Sequence, residues 1–156
     1  MYEPSKLAYW AAHQAKWNPA AQNGVFASGD GRWVLSDGNI LFCLERRPRG
    51  FSEIKTENLA PYFRNVGVNH ILANELARQR PAHLDITTSD LESLKRKKEK
   101  QFVVAETAFC LKDALDVATV MGKGCRFGCS GKPYHWLWIW QAENNNNVAV
   151  IMPDKK

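Results

Sequence analysis

PYHWLWIWQ, residues 133–141, places Tyr134, Trp136, Trp138 and Trp140 at every second position. In an extended strand that alternation puts the four rings on one face and His135, Leu137 and Ile139 on the other. Three of the chain's six tryptophans stand in this one row. A strand apolar on both sides has two uses. It is a central core strand, or it buries one face in its own domain and offers the other to a protein or to unstacked bases. In both cases the neighbouring segments must supply a sheet.

Working outward, CRFGC (125–129) and the turn Ser130-Gly131-Lys132-Pro133 precede the tryptophan stretch, and a polar AENNNN loop and a closing VAVIM strand (148–152) follow it. Upstream, QFVVAE (101–106) reads as a strand. Thr107 is placed to cap a helix whose Leu111, Ala114, Leu115, Ala118 and Met121 share a face, stopped by Gly122, Lys123 and Gly124. The expected order is strand, helix and three antiparallel strands.

The N-terminal part has a similar rhythm. Pro4 and Ser5 start a helix through SKLAYWAAHQAKW, with Leu7, Trp10, Ala11 and Gln14 on its inner stripe, and Asn18-Pro19 ends it. GVFAS, RWVLS and NILFCLE follow as strands, separated by Gly29-Asp30-Gly31 and by Asp37-Gly38, both hairpin signals. Between the halves, NHILANELARQR (69–80) and Ser89 to Lys100 read as two amphipathic helices parted by Pro81, the second with Ser89 and Glu92 spaced as a capping box. The expected organisation is one domain: a first half over about 1–50, a helical connector over about 51–100, and a second half over about 101–153.

With 156 residues, 45% of them hydrophobic, the chain is long enough for one domain with a real core. No apolar run approaches the roughly 20 residues of a spanning helix, and MYEPSKLAYW lacks the features of a secretion signal, so a cytoplasmic protein without membrane contact is expected. Cys43, Cys110, Cys125 and Cys129 are too few and too scattered for a disulfide scaffold.

The net charge of +5, from 21 basic and 16 acidic residues, is compatible with a polyanionic partner. Its distribution is more informative than its sum. Arg46, Arg47 and Arg49 form one cluster, and Lys95, Arg96, Lys97, Lys98 and Lys100 another. Each is either a solvated helix end or loop, or a phosphate-contacting surface.

Signals for catalysis are weak. His13, His70, His83 and His135 fit no two-histidine metal spacing, and HExxH, GxSxG and phosphate-loop patterns are missing. Cys125, Cys129 and His135 sketch a partial zinc site, but two cysteines four apart also share one strand face as ordinary core residues. Asp113 and Asp116 lie on one helix face, and Asp30 and Asp37 flank a hairpin, without forming an apolar-pocket pair. The expectation is a protein that binds, with no catalytic residues, metal or cofactor.

FCLKDALDVATVMGKG (109–124), the closing VAVIMP (148–153) and GRWVLSDGNILFCLE (31–45) together resemble the repeating unit of bacterial DNA sliding clamps. The resemblance implies an α+β, DNA-clamp-like single domain of two pseudo-repeats, each a helix plus antiparallel strands, working beside a replication machine. It implies DNA and replication proteins as partners and self-assembly into a homo-oligomer. The clamp family's peptide groove maps onto Ile151, Met152 and Pro153. Arg46, Arg47, Arg49 and Lys95 to Lys98 are the expected DNA contacts, and the small size is compatible with a phage or mobile-element protein. The competing expectation is a protein-interaction module, docking a host replication component through Tyr134, Trp136, Trp138 and Trp140 or through the C-terminal groove, without touching DNA.

Overall fold

A computed structural model describes residues 5–10, 24–27, 32–36, 40–48, 51–53, 84–122, 124–129, 135–141 and 147–154. The chain divides into two compact units, Pro4–Arg80 and Pro81–Lys156, the second including Met1–Glu3. The division falls within the span expected as a connector. The helix expected over 69–80 lies outside the described residues. Elements are α-helices and mostly antiparallel strands, so the fold class is α+β.

In the first unit, residues 5–10 are helical (α1). Leu7 and Trp10, three apart, are buried, whereas Lys6 and Tyr9, also three apart, are exposed. Ala11 and Gln14 lie outside the described residues. Three strands follow as the turn signals predict: β1 (Gly24–Ala27), β2 (Trp33–Ser36) and β3 (Ile40–Leu44), with β1–β2 and β2–β3 antiparallel. The continuous apolar run ILFCL is buried at every position, as a strand covered on both faces requires. Trp10 packs edge-on against Phe42, 5.1 Å between ring centroids and 71° between planes, which seats α1 on β3. A two-residue strand, β4 (Ser52–Glu53), pairs parallel to β1 and makes the order β4-β1-β2-β3. Nothing in the alternation of residues 52–53 foretells it, because a parallel partner is recruited by the path of the chain.

The second unit begins with α2 (Thr88–Arg96). Its cap is a correction to the expected Ser89–Glu92 box: Thr87 is the N-cap, its Oγ1 accepts from the Asp90 N–H at 3.2 Å, and Asp90 Oδ2 accepts from the Thr87 N–H at 3.0 Å. Both pairs have the right spacing. The earlier start places Asp90 in the first turn and brings Leu91 inward, 1% exposed, so packing decides between two equivalent local signals.

The strand read from QFVVAE pairs with a second one that the sequence conceals. β5 (Gln101–Val104) and β6 (Thr107–Cys110) form a hairpin in which Val104 faces Thr107. Thr107 is therefore no helix cap: it is buried in β6, and its hydroxyl donates to the Ala105 carbonyl at 3.3 Å. The two linking residues, Ala105 and Glu106, both adopt left-handed φ, 50° and 63°. That is the geometry of a tight hairpin turn, normally marked by Asn or Gly, and neither is present.

Helix α3 (Leu111–Met121) thus starts at Cys110, and packs on β6, β8, β9 and α2. Leu111, Ala114, Ala118 and Met121 are buried as expected. Val117 and Val120 are buried as well, while Leu115 is half-buried. Gly122, at φ 93°, ends the helix with its N–H on the Ala118 carbonyl.

β7 (Arg126–Cys129), β8 (Leu137–Trp140) and β9 (Val148–Ile151) form an antiparallel run with β8 in the middle. Trp138 faces Gly128 on one side and Val150 on the other. Residues 142–146 of the β8–β9 loop are not described, but both ends are held. Asn147 Nδ2 donates to Gln141 Oε1 at 2.9 Å, and Gln141 Nε2 donates to the Met121 carbonyl at 3.3 Å. This buried amide pair satisfies itself and one of the last carbonyls of α3. In chain order, each unit presents a helix followed by three consecutive antiparallel strands.

Candidate nucleic-acid interface

Lys95 and Arg96 occupy the last turn of α2, Lys97 is its C-cap, and Lys98 stands in the left-handed region at φ 64°. The Lys98 N–H bonds the Lys95 carbonyl at 2.9 Å and the Glu99 N–H bonds the Leu94 carbonyl at 3.0 Å, the paired reverse bonds of a Schellman ending. The chain therefore reverses in the middle of the basic run, and the helix does not continue to Lys100 as expected. All four cations are exposed, with Arg96 donating to the Ser93 hydroxyl at 3.0 Å. Positive charge here also complements the negative end of the helix dipole.

The first unit carries the other basic cluster directly after β3. Arg46 and Arg47 are exposed, and Arg49 lies outside the described residues. The Arg47 guanidinium carbon sits 5.6 Å from the centroid of Trp33, a half-buried ring at the start of β2. Arg32, next to it in sequence, is by contrast a core residue, 4% exposed, with Nη1 3.9 Å from Cys43 Sγ.

Within the aromatic row, Trp138 and Trp140 are core residues. Trp138 and Trp140 are 3% and 7% exposed, and Leu137 and Ile139 on the opposite face are fully buried. The expected docking surface does not include these two indoles, since a ring already removed from water has no area left to offer. Trp136 precedes β8, half-buried and stacked on His135 at 4.0 Å, while Tyr134 lies outside the described residues.

Of the C-terminal candidates, Ile151 is a buried residue of β9, and Met152 and Pro153 are half-buried. The segment is tied to the β5–β6 hairpin just beyond them: the Asp154 N–H donates to the Ala108 carbonyl at 2.8 Å, and Asp154 Oδ2 accepts from Gln101 Nε2 at 2.7 Å. Val103, on the same hairpin, is 70% exposed.

Cys125 sits before β7, not in it, and its thiol lies 3.7 Å from the Thr88 hydroxyl. Burial pushes that thiol above its ordinary pKa against the opposing contact from Thr88. Cys110 is raised for the same leading reason, burial. Neither has the lowered pKa of a reactive thiolate. Among the described residues, no three His, Cys, Asp or Glu side chains come together in a way that could hold a metal ion. No described helix is long and apolar enough to cross a membrane.

Comparison with protein families, characterised proteins and solved structures finds no match to this chain. Sequence reasoning overlooked three surface residues: Tyr9, 75% exposed on α1, the half-buried Trp33, and the exposed Arg126 on β7. Tyr9 was legible as the off-stripe ring of an amphipathic helix. Trp33 was not, because a single indole at a strand end carries no periodic signal.

Proposed function

We propose that this chain is a non-enzymatic DNA-binding protein that assists replication, built on a plan like one domain of a sliding clamp and acting as a homo-oligomer. The observation that carries the reading is the unbroken run of four exposed cations, Lys95 to Lys98, turned outward by the Schellman ending of α2. Side chains at such a helix end reach phosphates by charge, without base readout, which suits a protein that tracks DNA irrespective of sequence. The clamp-like part of the proposal is supported by the repeated order of a helix and three antiparallel strands. The competing module that docks a protein partner through the aromatic row is weakened by the burial of Trp138 and Trp140.

The test is light scattering of the protein with and without duplex DNA at two salt concentrations. The expected result is a higher oligomer whose association with DNA weakens steeply as salt rises. A monomer or dimer indifferent to DNA at low salt overturns the proposal.

A further inference from the structure

Three observations in the first unit bear on its exposed rings and cations. Strand alternation and pairing put Trp33, Leu35, Phe42 and Leu44 on one face of β2 and β3, and Trp10 of α1 packs on Phe42 of that same face. Leu35, Phe42 and Leu44 are buried there, but Trp33, at the strand end, is only half-buried, with the Arg47 guanidinium carbon 5.6 Å from its ring centroid. Tyr9 on α1 is 75% exposed, with the exposed Lys6 one turn earlier on the same helix. Rings interleaved with cations are what a single strand of nucleic acid needs: a flat apolar partner for an unstacked base, and a positive charge for the phosphate beside it. A duplex offers no such base, since its bases are stacked inside.

We propose that Trp33–Arg47, flanked by Arg46, and Tyr9 with Lys6 form a base-stacking surface for single-stranded DNA. The proposal rests on the DNA-binding reading above and gives it a substrate class. Arg47 has two roles in it. Its guanidinium carbon lies 5.6 Å from the Trp33 ring centroid, within cation–π range, and its planar group takes either a stacked base or a phosphate oxygen. A lysine at this position would keep the charge and lose the planar stack.

The experiment is fluorescence anisotropy with a labelled oligo-dT, which forms no duplex, and with a labelled duplex of equal length, at two salt concentrations. Full-length wild type is compared with Tyr9→Leu, Trp33→Leu and Arg47→Lys, each checked by circular dichroism for an unchanged fold. The wild type is expected to prefer oligo-dT. Each ring substitution is expected to weaken that binding by about 5- to 150-fold, the range that loss of one stacked base produces. Arg47→Lys is expected to weaken oligo-dT binding while leaving duplex binding and its salt slope unchanged. Should Trp33→Leu disturb the fold, Tyr9→Leu and Arg47→Lys, both at exposed positions, decide the matter. Salt-sensitive binding of both DNAs that none of the variants alters overturns the stacking surface and leaves the DNA-binding reading intact. If neither DNA binds at low salt, both fall.

Discussion

Lys98 adopts a backbone conformation that glycine takes at least cost, at the position where Schellman endings most often place glycine. A β-carbon at left-handed φ costs roughly 1–2 kcal/mol, partly offset by the extra freedom glycine has when unfolded. Lys98→Gly is therefore expected to stabilise the protein by about 0.5–1 kcal/mol in urea denaturation, while weakening any binding of DNA through this run. Cys125 supplies a pH-dependent counterpart. Its thiol is held protonated by burial, so its folded pKa lies above its unfolded one. The contribution is complete below about pH 8.5 and is lost as the pH climbs from there towards the raised folded value. The denaturation midpoint of the wild type should consequently fall more between pH 7 and pH 10 than that of Cys125→Ala.

For elements, the hairpin β5–β6 and the strand β8 make opposite points. Ala105 and Glu106 both stand at left-handed φ with side chains that disfavour it. Replacing the pair by Asn-Gly, which suits the same turn, should raise stability by about 1 kcal/mol and the melting temperature by about 2–4 °C. A decrease would mean that the turn residues serve something other than the fold. Strand β8 is saturated with apolar contact on both faces, and Trp138 lies between Gly128 and Val150 in its pairing. Trp138→Ala is expected to cost about 3–5 kcal/mol, enough to unfold much of the population at 37 °C, as measured by the loss of cooperative thermal unfolding. A variant that melts like the wild type would return the row to the surface. These strands were readable because alternation and continuous apolar runs are local. β6 was not, because its turn lacks Gly or Asn and FCLKDAL begins as plausibly inside a helix as before one.

On the scale of the whole molecule, the excess of positive charge is concentrated enough to test. Replacing Lys95, Arg96, Lys97 and Lys98 by alanine removes four of the chain's 21 basic residues from exposed positions, so the fold should survive. The slope of log affinity for DNA against log salt should drop by about 0.9 for every one of the four that neutralises a phosphate on duplex DNA. An unchanged slope would move the phosphate contacts to Arg46 and Arg47. The organisation was legible in outline, a helix and three strands stated twice, because turn dipeptides and apolar runs recur in both halves. The boundary between the compact units was not, since it falls after Arg80 in a stretch read as a connector.

By itself the sequence determined the fold class, the inner stripe of Leu7 and Trp10, the meander of β1 to β3, the strands around the tryptophans and the exposure of Arg46, Arg47 and Lys95 to Lys98. All of these follow from spacing along the chain and from the aversion of charge to burial. Tertiary structure alone decided which of two capping boxes starts α2, that Thr107 closes a hairpin, that β4 joins β1 in parallel, and that Trp138 and Trp140 are core. In each case the local sequence left more than one reading open. What separated them was the apolar area buried against residues distant in sequence, which no local pattern encodes.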